Sequence, residues 1–190
     1  MGRWEPGARE RLQAAALDLY VERGFEQTTA ADIAASVGLT ERTFFRYFAD
    51  KREVLFHGQE RLTELVLEGV AAAPADATPL AVVVSALLGT AEFFPDDRRE
   101  HSRRRQTVIS AHPALQEREL LKMAGLAATL AGALRERGAP EPAATLAAQS
   151  GATVFGVAFG QWIAEGETRS LADIQREVVT ELLSMSSGAR

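Results

Sequence analysis

Residues 28–51 constrain this chain more than any other stretch. They hold a short helix-patterned run, a glycine, a second run dense in aromatics and arginine, and a lysine where the next helical pattern begins. Thr29 is placed to cap a helix carrying Asp32, Ile33, Ala34 and Val37, with the acidic residue in the first turn, where it complements the positive end of the helix dipole. Gly38 closes that helix, because a residue without a Cβ enters the left-handed backbone region at little cost. Thr40 can cap a second helix reaching Tyr47, so two helices meet at a steep angle across a very short connection. Ala34, Gly38 and Phe44 fall at relative positions one, five and eleven. That spacing suits a helix-turn-helix: a small residue at the close approach, glycine at the corner, a bulky apolar residue packing the second helix onto the first.

Phe44 and Phe48, four residues apart, take the inward face and read as core. Glu41, Arg42, Thr43, Phe45, Arg46 and Tyr47 are left facing outward or sideways. Large aromatics beside arginine on so short a helix are hard to explain as ordinary solvated surface, and fit a helix lying in a major groove. There Arg42 can offer paired donors to a guanine edge, Thr43 can touch a thymine methyl or a base, and Tyr47 and Lys51 can hold phosphates. Asp50 is placed to cap the next helix, which leaves Lys51 near a positive helix end.

The run Thr28-Thr-Ala-Ala-Asp-Ile-Ala-Ala-Ser-Val-Gly-Leu-Thr-Glu-Arg-Thr-Phe-Phe-Arg-Tyr-Phe-Ala-Asp-Lys51, preceded by Ala14-Ala-Ala-Leu-Asp-Leu-Tyr-Val-Glu-Arg-Gly-Phe25, resembles the N-terminal DNA-binding domain of TetR/AcrR-family transcriptional regulators over about residues 8–56. The resemblance implies an all-α homodimer that sets two such domains over successive major grooves of a palindromic operator in double-stranded DNA. It also implies a divergent C-terminal domain that binds a small-molecule effector and releases the DNA, most simply as a repressor. The domains are then expected at 1–56 and 57–190. Carried over by the resemblance, Thr29, Thr40, Tyr47 and Lys51 match phosphate-contacting positions, and Arg42, Thr43 and Phe45 match positions at or next to the bases, with Arg46 beside them. Two departures stand out: Phe45 occupies a position where relatives often have tyrosine, and Ala30 one where relatives can supply threonine. Apolar contact remains available at both.

Composition sets limits. The 190 residues have room for a small reading module plus a larger core-bearing domain. There is no cysteine, hence no disulfide, thiolate metal site or cysteine nucleophile. The N-terminal stretch lacks the apolar segment of a signal peptide, and no apolar run, Leu80–Leu88 included, reaches the length of a membrane span, so a cytoplasmic protein without membrane contact is expected. Residues 1–57 hold eight Lys/Arg against nine Asp/Glu within an overall net charge of −5. With no broad basic footprint, DNA binding must rest on directed contacts and dimerisation.

The remaining sequence reads as helix throughout: Arg9–Arg23, Asp50 to about Ala73, Pro79 to about Phe94, Pro95–Ser110, Pro113–Arg137, Glu141–Gly166 and Ser170–Met185. Phe155, Phe159 and Trp162 form a stripe beside Gly151, Gly156 and Gly160, open to three readings: a dimer seam, ordinary core or a ligand-cavity wall. Arg98-Arg-Glu-His-Ser-Arg-Arg-Arg105 is either a solvated face or an anion-binding mouth. In the second case Arg104 would take a head group while Phe93, Phe94 and Met123 accept an apolar tail. This run, Ala111-His-Pro-Ala-Leu115 and Trp162 together resemble regulators with an acyl-coenzyme A-type ligand domain. His57, His101 and His112 fall in no metal-ligand spacing, and no phosphate-binding or nucleophile motif is present, so neither enzyme activity, metal nor cofactor is expected. The rival to a DNA-binding regulator is a helical adaptor that binds protein alone.

Overall fold

The computed structural model describes residues 7–187, and among these every regular element is helical, as the sequence leads one to expect. Ten α-helices follow in order: α1 (Ala8–Arg23), α2 (Ala30–Ser36), α3 (Glu41–Tyr47), α4 (Glu53–Phe56), α5 (Gln59–Ala72), α6 (Pro79–Gly89), α7 (Arg99–Ser110), α8 (Pro113–Glu136), α9 (Ala143–Trp162) and α10 (Leu171–Ser187). Short 3-10 turns at Thr90–Phe93 and Asp96–Arg98 lie between α6 and α7. The chain forms two compact units, one comprising Met1–Gly58 with Arg104–Glu119, the other Gln59–Arg103 with Leu120–Arg190.

In the first unit, Leu12, Ala16 and Tyr20 of α1 pack with Ile33 and Ala34 of α2 and Phe44 of α3 around one apolar core. Val108, Ile109 and Leu115, at the end of α7 and the start of α8, complete that core. Burying each of the Leu, Ile, Val and Phe side chains among them contributes about 1.5–3 kcal/mol. The α2 terminus explains the corner. Gly38 has φ +73°, the Leu39 N–H reaches the Ala34 carbonyl at 2.8 Å, and the Gly38 N–H reaches that of Ala35 at 3.0 Å. This double closure satisfies carbonyls the helix would otherwise leave unpaired.

The expected continuous helix from Asp50 to Ala73 is in fact two. The Asp50 carboxylate accepts from the Arg52 and Glu53 N–H groups at 2.7 and 3.1 Å and starts the one-turn α4. That helix ends at His57 in an extended conformation, and Gly58 follows with φ +96°. The interruption coincides with the boundary between the units.

In the second unit, α6 packs against α5 and α9, and α10 packs along α9. Thr78 caps α6 through its hydroxyl, with Pro79 in the first turn, as the sequence suggests. Helix α6 is nonetheless shorter than its pattern implies, ending at Gly89 with a single 3-10 turn carrying the chain to Phe93. Gly69 of α5 makes the tightest helix contact: a Cβ there would stand 2.7 Å from the Ala86 Cα of α6. The sequence reading of membrane spans also needs correcting. By length and composition α9 could cross one. Here its apolar side, including Ala144, Ala148, Val154, Phe155, Ala158 and Trp162, is spent on the core of this unit.

Candidate functional site

Helix α3 is held by its ends and by one ring. Thr40 Oγ1 accepts from the Thr43 N–H at 3.2 Å and shares a 3.0 Å hydrogen bond with Thr43 Oγ1. Phe44 is fully buried, and Phe48 packs on it with ring centroids 5.4 Å apart. Two such anchors on one side fix what the other side presents. Arg42 and Arg46 are exposed, Phe45 is 50% exposed, and Thr43 and Tyr47 are half-buried. Arg42 makes no hydrogen bond or ion pair among the described residues, so its guanidinium is presented outward at no cost in lost partners. The Arg46 guanidinium lies 5.1 Å from the Tyr47 ring centroid, with Nη2 donating to the Tyr47 hydroxyl at 3.3 Å.

Thr29 is fixed by a reciprocal cap on α2. Its hydroxyl accepts from the Asp32 N–H at 3.1 Å while the Asp32 carboxylate accepts from the Thr29 N–H at 2.9 Å. The Thr29 hydroxyl and N–H hold the Asp32 carboxyl below its ordinary pKa. Residues 29, 40, 42, 43, 45, 46 and 47 are therefore all at least partly open to solvent.

Lys51 departs from expectation. Its ammonium donates to the Phe25 and Thr28 carbonyls at 2.9 and 3.1 Å and lies 4.3 Å from the Phe25 ring centroid. Its own carbonyl accepts from the Tyr20 hydroxyl at 2.6 Å. The lysine thus fastens the end of α1 and the turn after it, in place of the outward cation read from sequence.

The arginine run is neither a solvated face nor a free anion mouth. In the first unit, Arg104 pairs with Asp18 at 2.7 Å, and Arg105 donates to the Leu55 carbonyl at 2.6 Å and to Glu119 at 3.1 Å. Burial pulls the Arg105 pKa down, opposed by Glu119. In the second unit, Arg103 donates to the Ile163 and Ala164 carbonyls at 2.7 and 3.0 Å. Arg99 donates to the Glu167 and Arg169 carbonyls and to Asp96. The five-donor guanidinium fork suits this capping of carbonyls beyond the C-terminal end of α9. Arg104 is accordingly not available as the head-group ligand expected from the sequence.

The other ligand candidates do come together. Phe94 is the hub, its ring centroid 5.0 Å from Phe93, 5.7 Å from Phe155, 5.5 Å from Phe159 and 6.0 Å from Trp162. Phe155 and Phe159 stack at 5.8 Å, and Met123 packs against the same core. Trp162 is fully buried, with the Arg99 guanidinium 5.4 Å from its ring centroid. The stripe of Phe155, Phe159 and Trp162 thus closes on the Phe93–Phe94 turn inside the second unit.

Two family profiles cover this chain. "Bacterial regulatory proteins, tetR family" matches residues 12–57, and "MftR C-terminal domain" matches residues 77–186. The chain belongs to the TetR family of transcriptional regulators. It is a DNA-binding helix-turn-helix protein, and the first match spans α2 and α3 described above.

Among TetR-family relatives, the HTH-type transcriptional regulator TcmR of Streptomyces glaucescens is 39% identical over 72 residues, 38% of this chain and 32% of TcmR. A Mycobacterium tuberculosis protein named for the regulation of mycofactocin biosynthesis, MftR, is 26% identical over 125 residues, 66% of this chain and 63% of that protein. The matches thus span less than two thirds of either relative. Among solved structures, Thermus thermophilus FadR, a TetR-family repressor in complex with lauroyl-CoA, has a TM-score of 0.55 at 25% identity, covering 92% of this chain and 93% of FadR. A TetR-family regulator from Syntrophomonas wolfei has a TM-score of 0.66 at 16% identity, covering 96% of each chain, and shares the fold.

Sequence reasoning missed two contacts that tie the start of α1 to the helix-turn-helix. Arg9 places its guanidinium 5.6 Å from the Tyr47 ring centroid, and Arg11 Nη2 donates to the Val37 carbonyl at 2.5 Å. Their spacing at the start of α1 was visible, but nothing in the sequence says that this helix end meets α2 and α3. Gln175, buried in α10 among Leu171 and Ile174, carried no motif at all.

Proposed function

We propose that this TetR-family regulator is a repressor that binds a palindromic operator as a homodimer and is released by a small apolar or amphipathic effector. One observation carries the reading: α3 is clamped from within by Phe44 while Arg42, Thr43, Phe45, Arg46 and Tyr47 remain presented on its open side. In the proposed complex Arg42 reads a guanine edge, Thr43 and Phe45 touch neighbouring bases, and Thr29, Thr40, Arg46 and Tyr47 position the phosphates, with Lys51 bracing the frame behind them. A pair of such helices about 34 Å apart would meet successive turns of one duplex face.

The dimer seam is assigned to the outer sides of α9 and α10. Gly156 and Gly160 of α9 are exposed, and a Cβ at either would meet nothing within 4 Å. Val157 on α9 and Leu183 and Met185 on α10 are exposed apolar residues. Small residues between apolar ones let a second helix approach closely. The effector site is assigned to the cluster of Phe93, Phe94, Met123, Phe155, Phe159 and Trp162. Because its rings already touch one another, an effector enters only as they part, and it favours that altered state over the DNA-binding one.

A second reading, that the effector is an acyl-coenzyme A, is favoured by the likeness to Thermus thermophilus FadR with lauroyl-CoA. Gel shift with duplex from the protein's own upstream region tests both. The regulator reading expects a two-protomer complex that weakens steeply from about 50 to 200 mM salt. Release by lauroyl-CoA supports the acyl-coenzyme A reading; release by an apolar compound but not by lauroyl-CoA removes it. Absence of any shifted complex removes the operator assignment.

A further inference from the structure

Gln175 is fully buried in α10, and neither its amide oxygen nor its amide nitrogen has a hydrogen-bond partner among the described residues. Buried amides are almost always paired, because stripping water from them without a replacement is costly. The residue is on the core side of its helix: Leu171 and Ile174 beside it are buried, and Val178 and Val179 one turn on pack against the same core. Burial is complete within one protomer, so a second copy of the chain cannot supply the missing bonds. Helices α9 and α10 pack together across the short connection at 163–170 and therefore run antiparallel. Gln175 stands one turn into α10, and its neighbours Leu171 and Ile174 belong to the same apolar core as Phe155 and Trp162, against which Phe93, Phe94 and Phe159 pack.

A second unmatched donor is buried in the same unit. The Arg99 guanidinium, beside the Trp162 ring, is tied through its two terminal nitrogens to the Glu167 and Arg169 carbonyls and Asp96, while Nε is buried without a partner. The second unit thus buries an apolar ring cluster, an unpaired neutral amide and an unpaired N–H, polar atoms that a bound molecule would satisfy.

We infer that Gln175 is the specificity-determining residue of the effector site, and that it selects an apolar molecule bearing a neutral carboxamide-type group. This inference rests on the effector assignment above and names the chemistry of that site. A carboxylate can only accept, so it would leave Gln175 Oε1 unmatched. A ketone or ester has the same defect. An amide or lactam offers an acceptor and an adjacent N–H, and so pairs with both polar atoms of Gln175 at once. Arg99, already neutralised by Asp96, adds a donor to the ligand carbonyl without demanding a negative charge.

The test uses the full-length protein without DNA and three flat apolar probes of equal size: 1-naphthamide, 1-naphthoate and 1-acetylnaphthalene. Isothermal titration is expected to show 1-naphthamide binding roughly tenfold or more tighter than either comparator. In Gln175→Leu that preference should vanish, and the unliganded variant should melt several degrees above the parent, since an unpaired amide has left the core. Equal affinity for the three probes, no binding of any, or a Gln175→Leu variant that melts below the parent overturns the inference. Its failure is separable from that of the regulator reading. Loss of amide preference with operator release intact removes only the role of Gln175, and absence of DNA binding with the preference intact removes only the operator assignment.

Discussion

Lys51 and Phe25 meet twice: the ammonium donates to the Phe25 carbonyl at 2.9 Å and lies 4.3 Å from the centre of its ring. With the Thr28 carbonyl also bound, the charge is consumed in closing the turn after α1. Lys51→Ala is therefore expected to lower stability by about 1–3 kcal/mol, the cost of stripping charge-assisted donors from partly buried carbonyls. Thermal denaturation checks this, and any loss of operator affinity should track the lost stability and be equal for all DNA sequences.

Arg42→Ala should behave in the opposite way. The side chain is exposed and has no partner among the described residues, so melting should stay within about 0.5 kcal/mol of the parent. Binding-site selection should nonetheless relax at one base pair per half-site, by about 1–3 kcal/mol. A uniform loss across all sequences would move Arg42 from base to phosphate.

Two glycines separate packing from association. Gly69→Ala pushes a methyl to 2.7 Å from the Ala86 Cα, backbone that cannot rotate aside, and should destabilise the second unit by about 1–3 kcal/mol. At Gly156 an added Cβ meets nothing within 4 Å in one protomer, so Gly156→Leu starts its side chain into open space. It should leave melting of a dilute sample unchanged and shift the dimer toward monomer in sedimentation velocity.

Acid should loosen the connection between α9 and α10. The Arg169 guanidinium first, then the backbone N–H groups of Arg169 and Thr168, hold the Glu167 carboxyl down to about 2 from an ordinary 4.5. A folded-state value below the unfolded one gives a contribution that is complete above about pH 4.5 and is lost as pH falls toward 2. Carbon-detected NMR titration should place the Glu167 midpoint near the lower figure, and Glu167→Gln should flatten the acid limb of the stability profile.

What the sequence could reveal followed from periodicity and local chemistry. The Ala34, Gly38, Phe44 spacing, the Thr29 and Thr40 caps and the inward pair Phe44 and Phe48 are all short-range features, and each appears in the structure. The break after Phe56 was less visible, because the apolar pattern resumes in phase beyond Gly58 and hides the interruption. The arginine run was misread for a different reason. Charge runs usually face water, and only the folded chain shows that Arg99 and Arg103 find backbone carbonyls more than fifty residues away. Gln175 was silent for the same reason: an unmatched amide is a property of its surroundings.

Val108, Ile109 and Leu115 sit in the same core as Phe25, Phe44 and Phe48, although about a third of the chain's length separates them from the helix-turn-helix in sequence. Severing the protein after Gly58 would open an apolar hollow where those three side chains belong. Grafting experiments that exchange sensors between relatives at a single splice point should thus yield aggregating hybrids, unless the hairpin at 104–119 travels with the DNA-reading half.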